Sequence, residues 1–171
     1  MYENQVMAYR GEHKSGLDRA LTAVNYAANL TADEKRESAI QLIQNRKPSH
    51  AITFLTNIVG DGDQDFQDYF YLGTAYFQEG QDYQTAIDNF LLAADNLSGL
   101  DNINRYMPRI YLNIAQCYQA LGNTEQMVSY YNQARDMNAA LAHRFAFLSG
   151  ESEEDTARAD EGEENIPLLL D

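Results

Sequence analysis

The sequence has no tryptophan, a single cysteine and three prolines, and from Pro48 to Asn104 it has neither lysine nor arginine. Each shortage excludes something. Cys117 alone cannot form an internal disulfide or a cysteine metal cluster, and this usage suits a reducing compartment, so a cytoplasmic location is expected. No apolar run approaches the roughly 18 residues that a membrane span needs, and the N-terminus lacks the apolar core of a secretory signal. The interval without cations holds nine acids, and the net charge is −14. Such a surface repels phosphate backbones and anionic lipid alike, so neither nucleic acid nor membrane is an expected partner. A protein or peptide partner, through an apolar or basic segment, fits the charge.

Catalytic signatures are missing too. The sequence contains no G-x-S-x-G, no phosphate loop and no paired catalytic carboxylates. His13, His50 and His143 lie far apart, without Cys or Glu at ligand spacing, so no metal is expected. Residues 61–65, DGDQD, resemble the opening of a calcium loop. Phe66 stands where that loop needs glycine, however, and Leu72 where it needs the closing glutamate. Helix capping is the better reading. Cys117 reads as a small packed hydrophobe. The expectation is a non-enzymatic chain with no cofactor.

What is present is helical periodicity, clearest over residues 66–94. Phe66, Tyr69, Phe70, Leu72, Tyr76 and Phe77 recur at helical spacing before Gly80; Tyr83, Ala86, Ile87, Phe90, Leu91 and Ala94 do so after it. Gly80 and the polar residues behind it break the pattern, which predicts two antiparallel helices. Small Gly73 and Ala86 mark the closest crossing. Upstream, Ser15 and Asp18 predict the start of a helix with Leu17, Leu21 and Val24 along one face, ending near Leu30. Thr31 with Glu34 predicts the next start, and Pro48 begins another helix running to about Val59.

Leu72, Gly73, Tyr76, Gly80, Ala86, Phe90 and Ala93 together resemble the tetratricopeptide repeat. Ala39, Leu42, Ala51, Leu55 and Ile58 echo that set 34 residues earlier, with Arg46 replacing the turn glycine. Tyr111, Ile114, Ala115, Tyr118, Gly122, Tyr131 and Ala134 repeat it after a step of 42. One extra residue falls at the Gly80 turn and seven in a longer connection over residues 98–109. Met127 takes the place of a small alanine, which predicts a looser crossing. The resemblance implies an all-α fold: a short right-handed solenoid of helix-turn-helix repeats over 31–148, with repeats at about 31–62, 66–98 and 106–137. Residues 1–30 add an extra N-terminal helix. A capping helix at 138–148 packs Leu141, Phe145 and Leu148 inward, with His143 and Arg144 outward, and residues 149–171 form an acidic disordered tail with an apolar end.

In that family the first helix of each repeat lines a concave, protein-binding surface. Carried onto this chain, the groove is Arg36, Ile40, Ile43 and Gln44; then Gln67, Phe70, Thr74, Phe77 and Gln78; then Arg109, Leu112, Gln116 and Gln119, with Asn113 at the edge. The competing reading makes Phe70, Phe77 and Leu112 core residues covered by a neighbouring helix. The clamp by which one branch of the family grips acidic C-termini would need basic or amide residues at Arg36, Ile40, Tyr71, Arg109 and Asn113. Ile40 and Tyr71 fail that requirement. The groove therefore suits an extended or helical segment with apolar side chains.

The resemblance implies an adaptor that holds a partner's peptide. One alternative is a small acidic chaperone for a secreted or assembling partner, like the short three-repeat chaperones of type III secretion. Another is a structural subunit forming a homo-oligomer through Leu17, Leu21 and Val24. The tail offers a ligand of its own, Ile166, Pro167, Leu168, Leu169 and Leu170, behind an acidic spacer. About fifteen residues of flexible coil reach on the order of 20 Å, enough to return to the groove.

Overall fold

A computed structural model describes residues 29–62, 64–150 and 167–170. The chain divides into two units, 1–31 and 32–171, and every helix below belongs to the second. Residues 15–28 of the expected N-terminal helix, with its Leu17, Leu21 and Val24 face, and the acidic spacer lie outside the described residues. The elements are α1 (Ala32–Gln44), α2 (Pro48–Asp61), α3 (Phe66–Glu79), α4 (Tyr83–Asp95), α5 (Leu100–Ala120), α6 (Thr124–Met137) and α7 (Ala139–His143). A 3-10 turn at Ala146–Leu148 follows. Among the described residues there is no strand.

Local chemistry explains the helix ends. Pro48 occupies the first turn of α2, where its missing N–H costs nothing. Asp65 caps α3 in a reciprocal box: its side chain accepts from the backbone N–H groups of Gln67 and Asp68, and Asp68 Oδ2 accepts from Asp65 N. Asp82, Asn123 and Asn138 cap α4, α6 and α7. The DGDQD stretch thus ends one helix and starts the next, with Asp61 also accepting from Lys35 Nζ at 3.0 Å. Within each of the first three pairs one turn residue is left-handed: Arg46 (φ 55°), Gly80 (φ 71°) and Gly122 (φ 71°). These positions recur at steps of 34 and 42. Arg46 therefore adopts the glycine conformation without being glycine, which an L-residue does only against steric resistance.

The step of 42 has a different origin from the longer connection expected. α5 has 21 residues against 14 in α3, while α2–α3 and α4–α5 are both joined by four residues. The seven additional residues are two extra turns at the start of α5. Pro108 lies inside this helix, where it removes one bond and crowds the carbonyl four residues back. Close by, Arg109 Nη1 donates to the Arg105 carbonyl at 2.8 Å. The extension is anchored by Tyr106, whose ring lies 5.3 Å from that of Phe66.

Consecutive helices pack as pairs, α1 on α2, α3 on α4 and α5 on α6, and each pair packs on the next. The first helices also touch one another, α1 on α3 and α3 on α5. Small residues let the axes approach: Ala39, Ala51, Ala86, Ala93, Ala115 and Ala134 are fully buried. α5 and α6 pack as extensively as α3 and α4, so Met127 does not loosen that crossing. Its flexible thioether side chain fills the gap beside Tyr131 and Ala134. The closing segment is two short pieces, α7 and the 3-10 turn. They bury Ala142, Phe145 and Leu148 against α5 and α6, with His143 and Arg144 exposed.

Candidate functional site

The inner layer consists of α1, α3 and α5, and the residues expected on its surface meet three fates. Phe70, Thr74 and Leu112 are core, each fully buried. The Phe70 ring lies edge-on to Tyr71 and Phe90 at 5.6 and 5.5 Å, and Thr74 Oγ1 donates to the Phe70 carbonyl at 2.9 Å. Leu112 joins Ala115, Met127, Tyr131 and Leu148 in the second apolar cluster. Their expected place on an open wall is corrected here: Phe70 is covered by Phe90 of the paired helix α4, and Leu112 by α6 and the closing segment.

Arg36 has a structural role instead of an open groove position. Its Nε and Nη2 donate to the two oxygens of Asp68 at 2.7 Å each, and its Nη1 donates to Asp33 at 2.8 Å. A hydrogen bond to Asp68, with Asp65 and Asp33 nearby, holds the guanidinium pKa above its ordinary value despite partial burial. Ile40, Gln67 and Arg109 are half-buried, and Ile40 packs against the first apolar cluster.

The third group faces a chain segment. Pro167 is buried, and Leu168, Leu169 and Leu170 are half-buried. Asn113, fully buried on α5, makes two bonds to one residue of that segment. Its Nδ2 donates to the Leu168 carbonyl at 3.0 Å, and its Oδ1 accepts from the Leu168 N–H at 2.8 Å. Leu168 packs on the second apolar cluster, while Leu169 and Leu170 pack on the first. Ile166 lies outside the described residues. Beside the segment is a cavity of about 530 Å³, lined by Ile43, Gln44, Arg46, Pro48, Phe77, Gln78, Gly80 and Tyr83 together with Pro167 and Leu169. Phe77 and Tyr83 meet edge-to-face there at 5.7 Å.

A row of amides continues from Asn113. Gln116 Nε2 donates to Asn113 Oδ1 at 3.4 Å, one turn along α5. Among the described residues, the side-chain oxygens of Gln78, Gln116 and Gln119 are buried without a hydrogen-bond donor. Unmet buried acceptors carry a desolvation cost of about 1–3 kcal/mol each. On the outer side of α5, Tyr118 stacks on Tyr130 at 5.7 Å and Tyr111 lies at the same distance from it. Burial raises the pKa of both Tyr111 and Tyr118, with Tyr130 adding to the effect. Burial likewise pushes the Cys117 thiol far up, leaving it a protonated core group.

Sequence reasoning placed Asn113 at the edge of the groove, whereas it is a fully buried grip on peptide backbone. It also passed over Arg46, Pro48 and Tyr83 as cavity walls. The available signal was register, since Arg46 aligns with Gly80, and the turns that hold these two residues line the cavity. No described helix is long and apolar enough to cross a membrane, and no cluster of three His, Cys, Asp or Glu among the described residues is arranged to hold a metal.

No curated protein and no solved structure matches the chain. A tetratricopeptide-repeat family model matches residues 108–140, beginning at Pro108, where the two extra turns of α5 end. Residues 108–140 thus form a tetratricopeptide repeat, a protein–protein interaction module, and the two preceding helix pairs repeat its helix-turn-helix architecture with left-handed turn residues in register.

Proposed function

We propose that the chain is a non-enzymatic adaptor that holds an extended segment of a partner protein along the inner wall of α1, α3 and α5. The observation that supports this best is Asn113. A side-chain amide offers a donor and an acceptor in one plane, the complement of a peptide unit, and Asn113 uses both on a single residue. Such a grip reads backbone, as strand pairing does, and leaves selectivity to the apolar surfaces on either side. The flanking clusters suit leucine-like side chains. The net charge of −14 favours basic residues at the ends of the bound segment.

The test is a peptide array of apolar and basic-flanked segments screened against the full chain, with binders mapped by amide chemical shifts. The expected shifts centre on Asn113, Gln116 and Phe77. Binders that perturb only the outer faces, such as Leu91 and Leu92 on α4, would show that the inner wall is not the docking surface.

A further inference from the structure

We infer that residues Pro167–Leu170 are a tethered, incomplete ligand of the inner wall, which a partner must displace with an extended leucine-rich segment of its own. The inference rests on the adaptor reading and adds how the groove is regulated and what chemistry opens it.

Three observations carry it. The segment takes a two-bonded backbone grip on the inner wall, both Asn113 bonds going to Leu168. It bridges the two apolar clusters, so its side chains occupy the surface a partner's side chains would need. It also leaves the site unfinished: the cavity of about 530 Å³ stays open beside Pro167 and Leu169, and the buried oxygens of Gln78 and Gln116 have no donor among the described residues. Gln116 is 1 % exposed, so its oxygen is shielded from bulk solvent.

The connection to the rest of the chain sets the competition. Residues 151–166 join the segment to Gly150 and hold eight acids against one arginine. A covalent connection of sixteen residues holds its end at an effective concentration of about the millimolar range. Weak docking is then enough to keep the wall covered, and stray apolar peptides are excluded. A partner succeeds by making contacts the segment lacks, with an apolar side chain in the cavity beside Phe77 and Tyr83 and backbone N–H groups on the free glutamine oxygens.

The experiment uses the full chain and a labelled synthetic peptide of residues 164–171, with fluorescence anisotropy as the readout. The comparison variant is Leu168→Pro with Leu170→Asp. It removes the N–H that Asn113 accepts and places a charge in the apolar cluster. The peptide is expected to bind the variant about tenfold or more tightly than the unaltered chain, because the tethered competitor is gone. Equal affinity for both overturns the tethered-ligand proposal and leaves the groove reading standing. No binding to the variant overturns both. Circular dichroism confirms that the variant keeps its helices. In the unaltered chain, the Leu168 amide is expected to exchange with solvent at least about tenfold more slowly than in the free peptide. Asn113→Leu should abolish that protection. Equal exchange in chain and peptide also overturns the proposal.

Discussion

Arg36 on α1 closes a two-bonded fork on Asp68 of α3, and the carboxylate it neutralises is completely buried. The same carboxylate accepts the Asp65 N–H that starts α3, so one side chain joins helix α1 to the cap of its neighbour. Lys35, the preceding residue, reaches Asp61 at the end of α2. Two adjacent cations thus hold both sides of the acidic turn between the first and second repeats.

Removing the arginine should be costly. Arg36→Ala leaves a buried, uncompensated carboxylate, and the expected loss is about 3–5 kcal/mol in urea unfolding, far more than an exposed ion pair would show. Arg36→Ala with Asp68→Asn should recover part of that loss, because the second change removes the stranded charge while keeping an acceptor for Asp65. A single-variant loss below about 1 kcal/mol would show that water relieves the pair.

Gly73→Ala tests the closest crossing of α3 and α4. A Cβ there would stand 2.8–2.9 Å from three carbons of the Phe90 ring, which is fully buried. In an exposed helix this change stabilises by about 0.5–1 kcal/mol. Here overpacking should win, for a net destabilisation of about 1–3 kcal/mol by chemical unfolding. A neutral or stabilised variant would mean that the ring can move aside.

Cys117 should be silent in the native protein. It is fully buried, and burial keeps its thiol protonated well above neutral pH. A disulfide exchange reagent should label it only as fast as the fold opens, and at once in denaturant. Labelling of native protein at the rate of a free thiol would contradict the placement of α5.

Asp82 provides a pH test. Hydrogen bonds from the Thr85 hydroxyl and backbone lower the pKa of this cap. A carboxyl whose folded pKa is depressed adds stability above its unfolded value and loses it as pH falls through the folded value. Asn caps a helix equally well. Asp82→Asn should therefore melt below the unaltered protein at neutral pH, with the difference vanishing once the pH drops below the carboxylate range. A difference unchanged by acid would assign the effect to something other than the charge.

Much of the fold was legible because its signals are local. Gly80, Asp82, Pro48 and Asn123 act through their own turns, and the spacing of Ala39, Gly73 and Ala115 exposes the repeat whatever the partner helices do. The seven additional residues were visible in number only. They form two turns of α5, on which Tyr106 meets Phe66, a contact between distant parts of the chain. The site was less legible. Position in a repeat places Phe70, Thr74 and Leu112 on the first helices, but packing against the paired helices and the closing segment decides which of them are surface and which are core.

The sequence by itself determined an all-helical chain of paired segments, because helix periodicity, caps and turn residues are written within a few positions of one another. Only the tertiary structure decided that Arg36 serves Asp68 and that Asn113 grips Leu168. Those partners stand 32 and 55 residues apart, and a hydrogen bond depends on distance in space, which chain spacing does not encode.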